Sequence, residues 1–197
     1  EIVEWTLKGM SIGGIWDHIG YGFHRYSVDT EWLIPHFEKM LYDQALLVMV
    51  FTEAYQATHR EEYRMTAEQI LEYVLRDMTS NEGGFYSAED AESEGIEGKY
   101  YLWKKEEIEE ILKPEESELF NRIYQVEKRG NYLDELGGEY NGNNILHLKK
   151  TLPNIGEEMD VDADEFKRSI DNIRNKLFHT RNKRPHPAKD DKILTDW

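Results

Sequence analysis

The sequence has no cysteine, which rules out a disulfide framework, a thiolate zinc site and a thiol nucleophile. It is short of positive charge: 24 Lys and Arg stand against 40 Asp and Glu, a formal net charge of −16. A surface that negative repels phosphate backbones and anionic lipid, so no nucleic-acid or membrane-surface role is expected. No apolar run approaches the roughly 20 residues of a membrane span, and no signal-peptide pattern opens the chain. Together with the missing cysteine, this leads us to expect a cytoplasmic, reducing compartment.

Several compact motifs are also missing. No P-loop, dinucleotide fingerprint, G-x-S-x-G elbow or H-E-x-x-H zinc motif is present. His36 and Glu38 form an H-x-E pair, but the zinc-deaminase signature needs Cys-x-x-Cys downstream. Asp90 to Gly95 imitates half of an EF-hand loop, yet its twelfth position is Tyr101 rather than Glu. No metal and no cofactor is expected.

What remains is an ordinary globular composition, 39% hydrophobic and 32% charged over 197 residues. That is one domain, which should bury roughly 70% of its unfolded surface. The chain opens on Glu1 inside an apolar-periodic stretch (Ile2, Trp5) and closes on Trp197 where another element begins, so an excised segment is expected.

Residues 37–57 read as a helix apolar nearly all round, with Ala45 to Phe51 at its centre, and such a helix needs cover on most sides. A short link follows, with Thr58 and Glu61 spaced as a capping box. Over 61–79 the apolar residues Tyr63, Ala67, Ile70, Val74 and Met78 make one stripe at helical spacing. A buried helix paired with a half-buried one predicts two concentric helical layers. Further helices are expected near 105–112, 115–126 and 162–180, with Pro114 in a first turn and Phe166, Ile170, Ile173 and Leu177 as a stripe. Gly-rich loops fill 12–36, 80–103 and 127–161, and two begin alike, Gly13-Gly14-Ile15-Trp16 and Gly83-Gly84-Phe85-Tyr86. A double glycine after a helix suits a left-handed cap, and its recurrence suggests a repeat with function at the long-loop end.

The first loop is the densest in chemistry. Asp17, His18, His24, Arg25, Asp29 and His36 stand among Trp16, Tyr21, Phe23, Tyr26 and Trp32. Carboxylates and imidazoles move protons near neutral pH, and flat rings with polar neighbours suit the apolar face of a sugar. The competing reading is that these polar groups cap helices and tie the loop down. Asp17 or Asp29 facing Asp90 or Glu94 across a shared pocket would support glycoside hydrolysis. Two of His18, His24 and His36 as opposed acid and base would instead support sugar epimerisation or isomerisation. Both readings stay open. The expected catalytic set is Asp17, His18, His24, Asp29, Asp90 and Glu94. The expected substrate-binding set is Trp16, Arg25, Tyr26, Trp32, His36 and Tyr86, with Arg25 available to hold a carboxylate or sulfate substituent.

Four ordered motifs carry a family resemblance: GGIWDHIGYGFHRYSVDTEWLIPHFEKMLYDQALL from Gly13, GGFYSAEDAESEGIEGKYYLW from Gly83, NNILHL from Asn143 and DDKILTDW from Asp190. They resemble the YyaL, or spermatogenesis-associated protein 20-like, family across essentially the whole chain. The resemblance implies an N-terminal thioredoxin-like domain fused to an (α/α)6 barrel related to N-acylglucosamine 2-epimerases and six-hairpin glycosidases. Residues 1–197 would then be the first part of that barrel. They would form a single all-α domain, a partial toroid with short β-hairpins among long loops at one end. Tyr21, Glu89, Glu92 and Lys104 depart from the family pattern, while Asp90 and Glu94 keep its acidic positions. The implied function is carbohydrate binding or acid–base chemistry on a sugar, with acidic sugars among the candidates. The alternative is a non-catalytic helical scaffold for the thioredoxin-like domain. An incomplete barrel should also expose apolar surface and self-associate.

Overall fold

The computed structural model describes residues 1–133 and 138–193. Among them are seven helices and nine strands, the strands forming four small antiparallel sheets. The all-α expectation is therefore corrected: the chain is mixed α/β. The strands were hidden for a physical reason. Most are two residues long, too short for alternation to register, and the partners of β3 and β7 are far away in sequence.

Helices α1 (Ile2–Ile12), α2 (Leu41–Thr58) and α3 (Glu61–Asp77) share one core, where Leu7, Phe51, Tyr63 and Ile70 meet Trp16, Phe23 and Tyr73. The stripe on α3 is buried as its spacing predicts. Helix α2 begins later than expected because Lys39–Met40 is strand β3, paired with Ala88 and Glu89 of β4 (Tyr86–Glu89). Its cover is also incomplete, with Leu46, Met49 and Val50 facing solvent. The capping box does not form. Thr58 Oγ1 donates back to Ala54 O at 2.7 Å, and the N-cap of α3 is Arg60, with no side-chain cap bond.

Helices α4 (Lys105–Ile111), α5 (Pro114–Ile123), α6 (Leu152–Glu158) and α7 (Ala163–Arg181) build a second core. There the α7 stripe packs with Ile108, Phe120, Leu148 and fully buried Trp103. Helix α6 lies inside the expected 127–161 loop. The two double glycines do different work. Gly13 closes α1 with an extended backbone, φ −72°, and a Cβ there would fall 2.3 Å from Trp32 O. Gly83, at φ +89°, belongs to a turn bounded by the Thr79–Phe85 bridge.

Three strand pairs set up the candidate site. Strand β1 (Tyr26–Ser27) pairs with β2 (Pro35–His36), β5 (Glu92–Ser93) with β6 (Ile96–Glu97), and β7 (Trp103–Lys104) with β8 (Asn143–Asn144). Strand β9 (Lys189–Ile193) completes a three-stranded sheet with β3 and β4. The last four residues of the fourth motif, 194–197, lie outside the described residues. No helix among the described residues is long and apolar enough to cross a membrane.

Candidate functional site

The first-loop residues fall into a buried group and a rim group. Asp17 is at the centre of the buried one. Its Oδ1 accepts from the backbone N–H groups of Ile19 and Gly20 at 3.0 Å and from Arg181 at 2.8 Å. Its Oδ2 accepts from Arg181 and from Lys39 Nζ, both at 2.8 Å. Burial would raise this carboxyl, but the charges of Arg181 and Lys39 outweigh it and hold Asp17 well below the usual carboxylate range. Burial lowers the Lys39 ammonium against the pull of Asp17 and Glu89. Glu89 is the fourth charge, accepting from Tyr101 at 2.8 Å and Tyr73 at 3.3 Å. Burial and the charge of Glu89 push both tyrosines well above the phenol range, which keeps them as donors. Two buried anions therefore balance two buried cations, and Asp17 is saturated with donors. Such a carboxylate anchors the fold. To take up a proton it has to give up a bond.

His18 and His24 line a small cavity of about 20 Å³ beside this group, together with Trp16, Asp17 and Arg181. His24 Nδ1 is 2.8 Å from Phe37 O and His18 Nε2 is 3.0 Å from Gly13 O, so these nitrogens carry the protons. Burial, reinforced by Lys39, lowers His24 to about 3, and burial lowers His18 to about 4. Both imidazoles are neutral at pH 7. A space of this size admits about one water and no sugar.

Arg25, Tyr26 and His36 are brought together on the rim. Arg25 reaches Glu38 at 3.0 Å, so its guanidinium is already engaged. His36 bonds Glu97 at 2.8 Å through Nδ1, and its Nε2 lies 3.8 Å from Glu38. Tyr26, its cross-strand partner, packs on the ring at 5.0 Å. Asp29 has a local task, accepting from the N–H groups of Glu31, Leu33 and Ile34. Trp32, at φ +62°, lies against Gly9 and Gly13.

The second loop forms a separate, open cleft of about 670 Å³, within the usual range for ligand sites. Glu94 stands at its edge with Lys99 Nζ 2.8 Å away. Glu94 (φ +55°) and Gly95 (φ +73°) are the two turn residues of the β5–β6 hairpin, and both take the left-handed conformation a two-residue hairpin favours. Arg184 braces the opposite wall, donating to Tyr100 O, Leu102 O and Glu107 while stacking 4.1 Å over Trp103. Tyr100, Tyr132, Asn141, Asn143 and Lys104 also line the cleft. Asp90 is exposed, its side chain accepts from its near neighbour Glu92 N, and it lines neither space. Tyr86 lies on β4 with Lys189 6.0 Å from its ring. The structure thus unites Trp16, Asp17, His18 and His24, but does not place Asp17 or Asp29 opposite Asp90 or Glu94. No group of His, Asp and Glu suited to a metal occurs among the described residues.

The sequence singles out neither Lys39, Arg181 nor Glu97, and marks Glu89 only as a departure from the family pattern. Lys39 had a usable signal. In His36-Phe37-Glu38-Lys39 the odd positions turn inward, as strand alternation requires.

The fold and its sites now have a family setting. The chain is 39% identical over 210 residues to spermatogenesis-associated protein 20 of Homo sapiens, covering 98% of this chain and 27% of the human protein. The Mus musculus protein of the same name is 40% identical, with 98% and 26% covered. An uncharacterized protein of Caenorhabditis elegans is 36% identical over 213 residues, with 100% and 29% covered. No protein-family model matches the chain. The chain belongs to the spermatogenesis-associated protein 20-like family, and it spans about a quarter of the length of these relatives.

Proposed function

We propose that the cleft beside the β5–β6 hairpin binds a carbohydrate. One observation carries this reading: an open space of sugar size whose walls mix carboxylates, ammonium and guanidinium groups and side-chain amides with tyrosine rings. Sugar hydroxyls need dense donors and acceptors, and their C–H faces need flat apolar contact. A neutral sugar suits the cleft better than an acidic one. Four carboxylates line it against three cations, two of which are already paired with Glu94 and Glu107. Arg25, the expected holder of an acidic substituent, is engaged by Glu38. Acid–base chemistry on the bound sugar, of the epimerase, isomerase or glycosidase kind, would draw on these carboxylates, with Glu94 the member foreseen from sequence.

Saturation-transfer NMR on the full-length protein, with neutral and uronic-acid mono- and oligosaccharides, tests this reading. Neutral sugars should bind, and Glu92→Gln and Asn143→Ala should weaken them. Failure of every saccharide to bind, or binding indifferent to both substitutions, would end the proposal.

A second reading rests on the exposed apolar face of α2, where Leu46, Met49 and Val50 face outward. Such a strip suits cover by another part of a protein about four times as long, including a thioredoxin-like domain. Hydrogen exchange tests it: this reading requires α2 to be protected in the full-length protein relative to the 197-residue chain.

A further inference from the structure

We propose that His36 is a positioning residue of the cleft: by bonding Glu97 it holds the β5–β6 hairpin where that hairpin forms the cleft wall. The inference rests on the carbohydrate reading only for the ligand, since the geometry stands without one.

The hairpin is built to move unless something fixes it. Its ladder has two residue pairs, Glu92 with Glu97 and Ser93 with Ile96, and an isolated two-stranded ladder is marginal in water. Glu92 and Glu97 are like charges set directly opposite, which weakens the pair further. Two attachments to the segment around β2 offset this. Gly98 sits flat on the ring of Phe37, so closely that a Cβ would fall 2.5 Å from Phe37 Cε2. Beside it, His36 Nδ1 meets Glu97 Oε1 at 2.8 Å. The histidine is itself held, by Tyr26 against its ring and by Glu38, 3.8 Å from Nε2 and fastened to Arg25. Ser93, bonded to Pro185 O at 2.7 Å, ties the other strand to the far wall. Without His36, Glu97 loses this clamp and faces Glu92 across the ladder.

Asparagine places an amide N–H near the position of the imidazole Nδ1–H, so His36→Asn restores the bond and His36→Ala does not. In the full-length protein, His36→Ala should speed hydrogen exchange of the 93–99 amides by about tenfold, the loss expected for one hydrogen bond to a charged group. His36→Asn should stay within about threefold of the parent. The sugar affinities of the two variants should follow the same order, and adding Glu97→Gln to His36→Ala should cost little more. Unchanged exchange in His36→Ala, or an asparagine variant as fast as the alanine one, overturns the proposal whether or not any sugar binds. Normal exchange effects in a protein that binds no saccharide would instead overturn the carbohydrate reading alone.

Discussion

Arg181, the last residue of α7, grips Asp17 with both ends of its guanidinium, each N–O distance 2.8 Å, across 164 residues of sequence. The pair is almost wholly buried and joins the first long loop to the last long helix. Gly20 is part of the joint: a Cβ there would lie 2.1 Å from the Arg181 Nη2 atom.

Removing Arg181 leaves the two buried carboxylates of Asp17 and Glu89 against the single ammonium of Lys39, so Arg181→Met should destabilise the protein by about 3–5 kcal/mol. Arg181→Lys should recover little, since an ammonium cannot make both bonds at once. Urea denaturation checks this. A loss near 1 kcal/mol for Arg181→Met would show that the charges are not interdependent.

His18 and His24 make stability fall with acid. Both are held neutral in the fold, at about 4 and about 3, while the unfolded chain protonates them near pH 6.5. Below pH 6.5 the unfolded state binds more protons, so stability declines as pH falls until each folded value is passed. The slope is up to about 1.4 kcal/mol per pH unit for each histidine. Asp17, depressed in the fold, adds its own loss only in stronger acid. Melting curves from pH 7 to 4 should show the decline, and His18→Gln should flatten it.

Helices α3 and α7 were legible because a single stripe at helical spacing needs no knowledge of partners; every stripe residue named for them is buried. The start of α2 differs from the expected one because nothing in Phe37 to Met40 breaks a helix, and only pairing with β4 makes Lys39–Met40 a strand. The density of chemistry in the first loop was legible, but its purpose was not. Whether Asp17 is a proton carrier or an anchor depends on Arg181 and Lys39, which approach it from distant elements. Tertiary convergence of that sort leaves no trace in local spacing. Glu94 was found for its charge, while the turn geometry that sets it at the cleft edge becomes visible only with the backbone.

The two hairpin glycines separate strain from collision. Gly95 and Gly98 both have positive φ, +73° and +70°, but only Gly98 would bring a Cβ against Phe37. Gly95→Ala should cost about 1 kcal/mol, from left-handed strain alone. Gly98→Ala should cost about 1–3 kcal/mol and also displace the cleft wall, so the proposed sugar binding should be lost with it. Equal stability and equal binding in the two variants would contradict the seating of Gly98 on Phe37.

Asn144 offers a test in which one atom changes. Wholly buried, it turns the two N–H groups of Nδ2 toward Trp103 O, Glu127 O and Gly142 O, each 3.0–3.1 Å away, with one N–H shared, and accepts from Glu127 N at 2.8 Å. Asn144→Ala leaves those backbone groups unsatisfied and should cost about 3 kcal/mol or more. Asn144→Asp keeps the shape and the acceptor for Glu127 N, but turns a carboxylate oxygen toward three carbonyls. At pH 7 it should be the less stable of the two variants. A protonated carboxyl can donate again, and burial raises its pKa, so the aspartate variant alone should gain stability relative to the parent between pH 7 and pH 5. Chemical denaturation of the three proteins at pH 7 and pH 5 measures both effects. An aspartate variant as stable as the parent at pH 7 would mean that the side chain does not face these carbonyls.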